Sequence, residues 1–278
     1  MTATTISMPN TAASTRPVGG SIVADTLVIA RRNLTRVVRT PQLVFFQTAQ
    51  PVMFVLLFRY VFGGAIAPAG FEGRYVDFLI PGILVQTSLF SGAGTAFGLA
   101  EDISKGIIDR FRSLPMARSA VLAGRVLADM VRTLFTTLLM VGVGMLVGFR
   151  VHNGFVYGVF AIALVMLFSF AFSWFFALIG LVVKNIESVE IASFTPIFPL
   201  TFAASTFVPV QGMPGWLQAF AKAQPISQVV NATRTLTQGV RPPTTQAAGR
   251  PIVYSLLWIA GLTVVFASLA IRKYQKVE

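Results

Sequence analysis

Six stretches of this chain contain no Asp, Glu, Lys, Arg or His: about Leu43 to Phe58, Phe78 to Ala100, Thr133 to Phe149, Phe155 to Val183, Ile191 to Val210 and Pro251 to Ile271. A bilayer-spanning helix takes about 20 mainly apolar residues. In lipid, each backbone amide must also find its partner within the segment, which only helices and closed barrels allow. The pattern predicts an all-α, polytopic membrane protein with six transmembrane helices, at about residues 42–62, 77–100, 122–149, 155–183, 189–210 and 251–271. Composition agrees: 55% of the 278 residues are hydrophobic and 12% charged, against about 25% charged in a soluble domain. Such a chain has too little polar surface to cover itself in water. Its length leaves no room for a second soluble domain beside six spans.

The net charge of +12 would raise nucleic acid in a soluble protein. Here it is better explained by the excess of Lys and Arg that membrane proteins hold at the cytoplasmic face, and no nucleic-acid partner is expected. With both termini inside, most basic residues, including Arg31, Arg32, Arg36, Arg39, Lys105, Arg110, Arg112, Arg118, Arg125 and Arg132, fall on the inner side. Most of the outer ones lie in one long loop, where the rule weighs least. Residues 1–24, rich in Thr, Ser, Ala and Pro at the start and without the apolar run of a signal peptide, are expected to form a disordered cytoplasmic tail ahead of one membrane domain, 25–278.

Three segments outside the spans have helical character. Within 25–39, Leu27, Ala30, Leu34, Val37 and Val38 share one face and Arg32, Arg36 and Arg39 the other, which predicts a helix lying on the inner leaflet; the plain polar flank of the first span is the alternative. In 101–114, Ile103, Ile107, Phe111 and Leu114 recur opposite Glu101, Lys105, Asp109 and Arg112, and Pro115 closes the helix. Spacing alone leaves this segment either a solvated linker or a partner's docking surface. In 213–239, Pro214, Pro225 and Gly239 delimit two short pieces. Trp216, Leu217 and Phe220 give the first an apolar side, predicting an outer interfacial or re-entrant helix rather than a plain loop.

Several chemistries lack their residues. There is no cysteine, and the single His152 cannot build a multi-histidine metal site, so no metal site and no catalytic residues are expected. A phosphate cradle of the form G-x-x-x-x-G-K-[ST] needs a Gly-Lys pair, which occurs nowhere in the chain. The uncharged stretches also lack the midplane ionisable groups of proton-coupled carriers. One charged group adjoins the membrane: Arg125, Asp129 and Arg132, on one helical side at i, i+4 and i, i+3 spacing. It is either a salt-bridged inner anchor or a conformational relay.

The order of these parts, together with FLIPGIL at Phe78 to Leu84, EDISKGIIDRFRSLPMARSAVLAGRVLAD at Glu101 to Asp129 and WLQAFAKAQPISQVVNATR at Trp216 to Arg234, resembles the ABC-2 permease family, and within it the daunorubicin-resistance type, over about Asp25 to Lys273. The resemblance implies a permease in the cell membrane. A second permease chain, identical or different, and two copies of an ABC ATP-binding subunit would complete the exporter. ATP and Mg would then be bound by the partner subunit and no cofactor by this chain. It further implies that Glu101, Asp102, Ile103, Lys105, Gly106, Ile107, Ile108, Asp109, Arg110 and Phe111 form the coupling helix against the ATPase, that 25–39 is the connecting helix, and that Trp216, Phe220 and Pro225 belong to an outer gate. Its cargo would be an amphipathic drug or a lipid-linked molecule. An ion-coupled carrier or channel without an ATPase is the other reading, and an intramembrane enzyme a third.

Overall fold

The computed structural model describes residues 22–38, 41–62, 74–107, 118–183, 185–239 and 251–276. Residues 1–21 of the expected tail, Arg39 and residues Ile108, Asp109, Arg110 and Phe111 lie outside the described residues, as do the side chains of Arg32 and Arg36, whereas Ile22, Val23 and Ala24, expected in the tail, open the first helix. Among the described residues every regular element is helical: α1 (Ile22–Val38), α2 (Pro41–Leu56, continued by a π turn, Leu57–Val61), α3 (Tyr75–Ser104), α4 (Arg118–Val147), α5 (Phe155–Val182), α6 (Ile186–Phe202), α7 (Gly215–Ala223), α8 (Pro225–Gln238) and α9 (Pro251–Lys276).

Four of these, α3, α4, α5 and α9, are long and apolar enough to cross a membrane, and the chain is a polytopic membrane protein. Helix α3 is the axis of the bundle, flanked by α2, α4, α5, α6 and α8. Its most apolar window is 89% buried, whereas that of α9 is only 11% buried. Large apolar side chains such as Leu146, Phe155 and Val264 are exposed on the outside of the bundle. In water such a surface would aggregate; against lipid tails it costs nothing.

Three apolar layers stack along the bundle. At one end Ile29 of α1, Leu99 of α3, Leu122 and Val126 of α4, Leu181 of α5 and Tyr274 of α9 pack together. The middle layer joins α3 to α5 through Leu89, Val165 and Phe168. At the opposite end Val55, Phe78, Met140, Phe149 and Phe207 meet. The helices are therefore antiparallel neighbours, and the first end is where Lys105, Arg118, Arg272 and Lys273 fall.

Close approach within the bundle depends on missing side chains. A Cβ on Gly180 would stand 2.6 Å from the carbonyl oxygen of Ala96 in α3, and backbone cannot rotate away. Gly180→Ala is expected to push α3 and α5 apart, costing about 1–3 kcal/mol, and to lower the melting temperature of the detergent-purified protein. Gly142→Ala, whose Cβ meets nothing within 4 Å, should leave that temperature unchanged.

Two expectations shift in the structure. The buried side of α1 is Ile29, Ala30 and Asn33, with Leu27 and Val28 exposed, so its inward face is rotated from the one that spacing suggested; Gly124 of α4 admits the backbone of Thr26 and the side chain of Ile29. Helix α6 stops at Phe202 instead of continuing toward residue 210. The backbone polar groups that follow are satisfied from α8: Ser227 Oγ accepts from Ser205 N at 3.1 Å, and Arg234 takes the carbonyls of Ser205 and Thr206. With those partners in place the helical ladder need not go on.

Candidate functional site

A ladder of charges joins α3 to α4 in the half of the bundle that ends at Lys105. Asp102, in the last turn of α3, lies 3.7 Å from Arg125 Nη1. Arg125 Nε lies 3.7 Å from Asp129 Oδ2, and Arg132 Nη2 lies 3.3 Å from Asp129 Oδ1. Each side chain is at most 14% exposed. Two acids balance two arginines, so the group carries no net charge into the low-dielectric interior, where an unpaired ion would be costly. Hydrogen bonds tie it to α3. Thr95 Oγ1 donates to Asp129 Oδ2 at 2.5 Å, Arg125 Nη2 to the Gly94 carbonyl at 3.0 Å, and Arg132 Nη2 to the Ser91 carbonyl at 2.6 Å. Gly94 and Gly98 make this possible, because a Cβ on either would overlap the guanidinium of Arg132 or Arg125.

The expected trio Arg125, Asp129 and Arg132 is thus brought together, and Asp102 joins it. The spans are correspondingly less free of charge than the apolar stretches implied. Helix α4 starts at Arg118, so all three residues sit within it, and Arg132 meets α3 at Ser91, about 20 Å of helix from Ser104. Proximity in sequence to the apolar stretch could not reveal this depth.

Glu101 to Ser104 continue α3 rather than opening a helix of their own. The break comes at Lys105 and Gly106, where a backbone φ of +63° suits glycine and ends the helix. Glu101 and Lys105 pair at 2.6 Å on the surface, a contact worth little in water. Ile103 is half-buried against the apolar layer around Leu99 and Leu122, and Ile107 lies just beyond the break. The expected 101–114 helix therefore has no separate turn before Gly106.

Beside the ladder a cavity of about 440 Å³ opens between α2, α3, α4 and α6, within the range of drug-sized sites. Aromatic rings form much of its wall: Phe90 stacks on Phe194 at 5.6 Å and meets Phe198 edge-on at 5.5 Å. Gln50, Gln86, Thr136 and Glu190 supply polar groups, and Ser91 and Gly94 border both the cavity and the ladder. Spacing did not reveal this site, because its residues come from four helices far apart in sequence.

At the opposite end of the bundle, α8 is a buried helix. Pro225 occupies its first turn and Gly239, at φ +71°, caps its end. Arg234 is 1% exposed. It donates to the carbonyls of Phe78, Ser205 and Thr206 at 2.9, 2.6 and 3.2 Å and to Asn231 Oδ1 at 3.2 Å, with its guanidinium carbon 3.5 Å from the centre of the Phe78 ring. Burial lowers its pKa to about 9, so it stays cationic at neutral pH. Arg234 thus holds α3, α8 and the turn after α6 together. Its only sequence signal was the i, i+3 spacing from Asn231. Trp216 and Phe220 on α7 are exposed, 76% and 45%, side by side at i, i+4.

Comparison with known proteins supplies the family. The ABC-2 type transporter family model matches residues 24–237. The chain is 36% identical to the daunorubicin resistance ABC transporter permease protein DrrB1 of Streptomyces coeruleorubidus, over 95% of this chain and 90% of that protein. It is 30% identical to the probable doxorubicin resistance ABC transporter permease protein DrrC of Mycobacterium tuberculosis, over 88% and 86% of the two chains. The inner membrane transport permease YadH of Escherichia coli is 23% identical over 66% of this chain. With more than half of its length matched, this chain belongs to the ABC-2 type transporter family and resembles its drug-resistance permeases throughout the membrane domain.

Proposed function

We propose that the chain is one permease of an ATP-driven exporter that moves amphipathic cargo from the inner side of the cell membrane outward. A separate ATP-binding subunit, in two copies, supplies the hydrolysis, and a second permease chain completes the pathway. Helices α2 and α6 cross as well, giving six spans; α7 and α8 stay at the outer side, and both termini are cytoplasmic. The basic residues gathered at the end of the bundle holding Lys105 and Arg272 support this orientation.

The observation that carries the reading is the Asp102 to Arg132 ladder. It runs from the turn before Gly106, where a partner at the inner face would push, to Ser91 and Gly94 at the cavity wall. Nucleotide can shift a permease between inward and outward states only if the nucleotide-bound partner contacts the two states differently. A rigid hydrogen-bonded ladder is a means of carrying that difference to the cavity. A Glu101→Lys, Phe111→Ala double mutant is expected to insert normally but to lose most co-purification of the ATPase and most transport. Undiminished pull-down with full transport would contradict the coupling role.

The buried Asp129 is an observation in favour of an ion-coupled carrier, since a membrane carboxylate can take up a proton. Its carboxylate is instead tied within the protein to Arg125, Arg132 and the Thr95 hydroxyl, the arrangement of a structural ion-pair member.

A further inference from the structure

We infer that Arg74 and Arg150, at the end of the bundle away from Lys105, together hold the phosphate of an anionic phospholipid, a resident lipid lying along α4. Both side chains grip the last turn of α4. Arg74, just ahead of α3, donates from Nη2 to the Gly148 carbonyl at 2.5 Å, and its Nε lies 3.4 Å from Asp77 Oδ2. Arg150 donates from Nη1 to the carbonyls of Met145 and Phe149 at 2.9 and 3.0 Å, and its backbone N donates to Asp77 Oδ1 at 3.2 Å. Asp77 is buried and both arginines are exposed. These contacts occupy only part of each guanidinium. Arg74 Nη1 and the Nε–Nη2 edge of Arg150 make no hydrogen bond to any described residue. Capping the helix end accounts for the three carbonyl bonds. It does not account for a second fixed guanidinium with its paired donors left over on the edge opposite the bonded Nη1.

That edge is the one with which arginine takes a phosphate in a two-donor fork. The bonded carbonyls of Met145 and Gly148 are three residues apart, about 4.5 Å along the helix, so one phosphodiester can reach both guanidiniums. Two arginines against one acid leave one positive charge at the surface, which favours an anion. The surroundings assign that anion to a lipid. Met145 and Leu146 on α4 are 45% and 89% exposed, and Phe155 at the start of α5 is 85% exposed, an apolar face suited to acyl chains rather than water. By the orientation proposed above this is the outer end, where membrane proteins carry few basic residues, so two ordered arginines side by side there call for a partner. None of these residues lines the cavity, and the inference is independent of the cargo reading. The lipid braces the loop between α4 and α5, which Gln238 Nε2 also holds, at 3.2 Å from the Arg150 carbonyl.

The test exploits the absence of cysteine. Gly142, about 9 Å along α4 from Gly148, and Gly261 on α9 are exposed, and a Cβ on either meets nothing within 4 Å. The full-length chain is labelled with bimane at Gly142→Cys or at Gly261→Cys and placed in phosphatidylcholine nanodiscs. A fraction of the lipid is chain-brominated phosphatidylglycerol or chain-brominated phosphatidylcholine, and quenching reads which lipid lies against the label. At Gly142→Cys the phosphatidylglycerol is expected to be favoured about fivefold. The double variant Arg74→Gln, Arg150→Gln should abolish that preference and leave the value at Gly261→Cys unchanged. Arg74→Lys, Arg150→Lys should keep part of it, because the charge remains without the fork. Equal quenching by the two lipids at Gly142→Cys with both arginines present would overturn the inference, whether or not the double variant inserts. So would a preference that survives the double variant, or one that falls equally at both labels. A preference abolished by millimolar inorganic phosphate would assign the site to a soluble anion and overturn the lipid.

Discussion

Replacing Arg234 with Ala is expected to destabilise the protein by roughly 3–5 kcal/mol, because the carbonyls of Phe78, Ser205 and Thr206 lose a charged donor and remain buried. The substitution also removes the cation from the face of Phe78 and opens a cavity at a buried position. For a chain of this size that corresponds to a fall in melting temperature on the order of 10 °C, measurable by size-exclusion of heated, detergent-solubilised protein. Arg234→Lys should recover only part, since one ammonium cannot match the fork that serves three carbonyls from separate segments. Wild-type thermal stability in Arg234→Ala would show that the contacts between α8, α3 and the turn after α6 are dispensable.

Asp129→Asn keeps the size of the side chain and leaves Arg125 and Arg132 with Asp102 as their single acid in the ladder. Thr95 would lose its ionised acceptor, and the group would carry a net positive charge at side chains no more than 14% exposed. Transport is expected to fall by about tenfold or more, with the chain still inserted and still bound to its ATPase. The charge-balanced double mutant Asp129→Asn, Arg132→Gln should transport better than the single mutant, because neutrality is restored. A single mutant with full transport rates would show that the ladder is an anchor and not a relay.

The bundle was legible in the sequence wherever helix and lipid impose the same pattern. The apolar runs behind α3, α5 and α9 mark those helices to within a few residues, and the polar breaks place their order. What escaped was polar burial. Helix α8 has Ser227, Asn231, Thr233, Arg234, Thr237 and Gln238 all buried, and a linear hydropathy reading assigns such a segment to the outer surface. Its burial is permitted because its polar groups are matched inside the protein, as in Ser205 Oγ to Asn231 Oδ1 at 3.1 Å and Gln238 Nε2 to the Arg150 carbonyl at 3.2 Å. The same holds at the site. Arg125, Asp129 and Arg132 were legible as one helical face, but the fourth member, Asp102, comes from another helix, and the glycines that admit the arginines look in sequence like ordinary small residues of a span. The cavity was illegible for the same reason: Gln50, Gln86, Thr136 and Glu190 meet only after α2, α3, α4 and α6 have packed.

Reconstitution with and without a partner ATPase is the most direct test of the central claim, that this chain is a passage powered from its inner face. Purified chain is incorporated into vesicles either alone or with a partner ABC ATPase, and movement of a fluorescent amphipathic compound is followed. Transport is predicted only when the ATPase and hydrolysable ATP are both present, in the direction away from the nucleotide, and to be indifferent to proton or sodium gradients. Transport by the chain alone, driven by an imposed ion gradient and unaffected by ATP, would contradict the account.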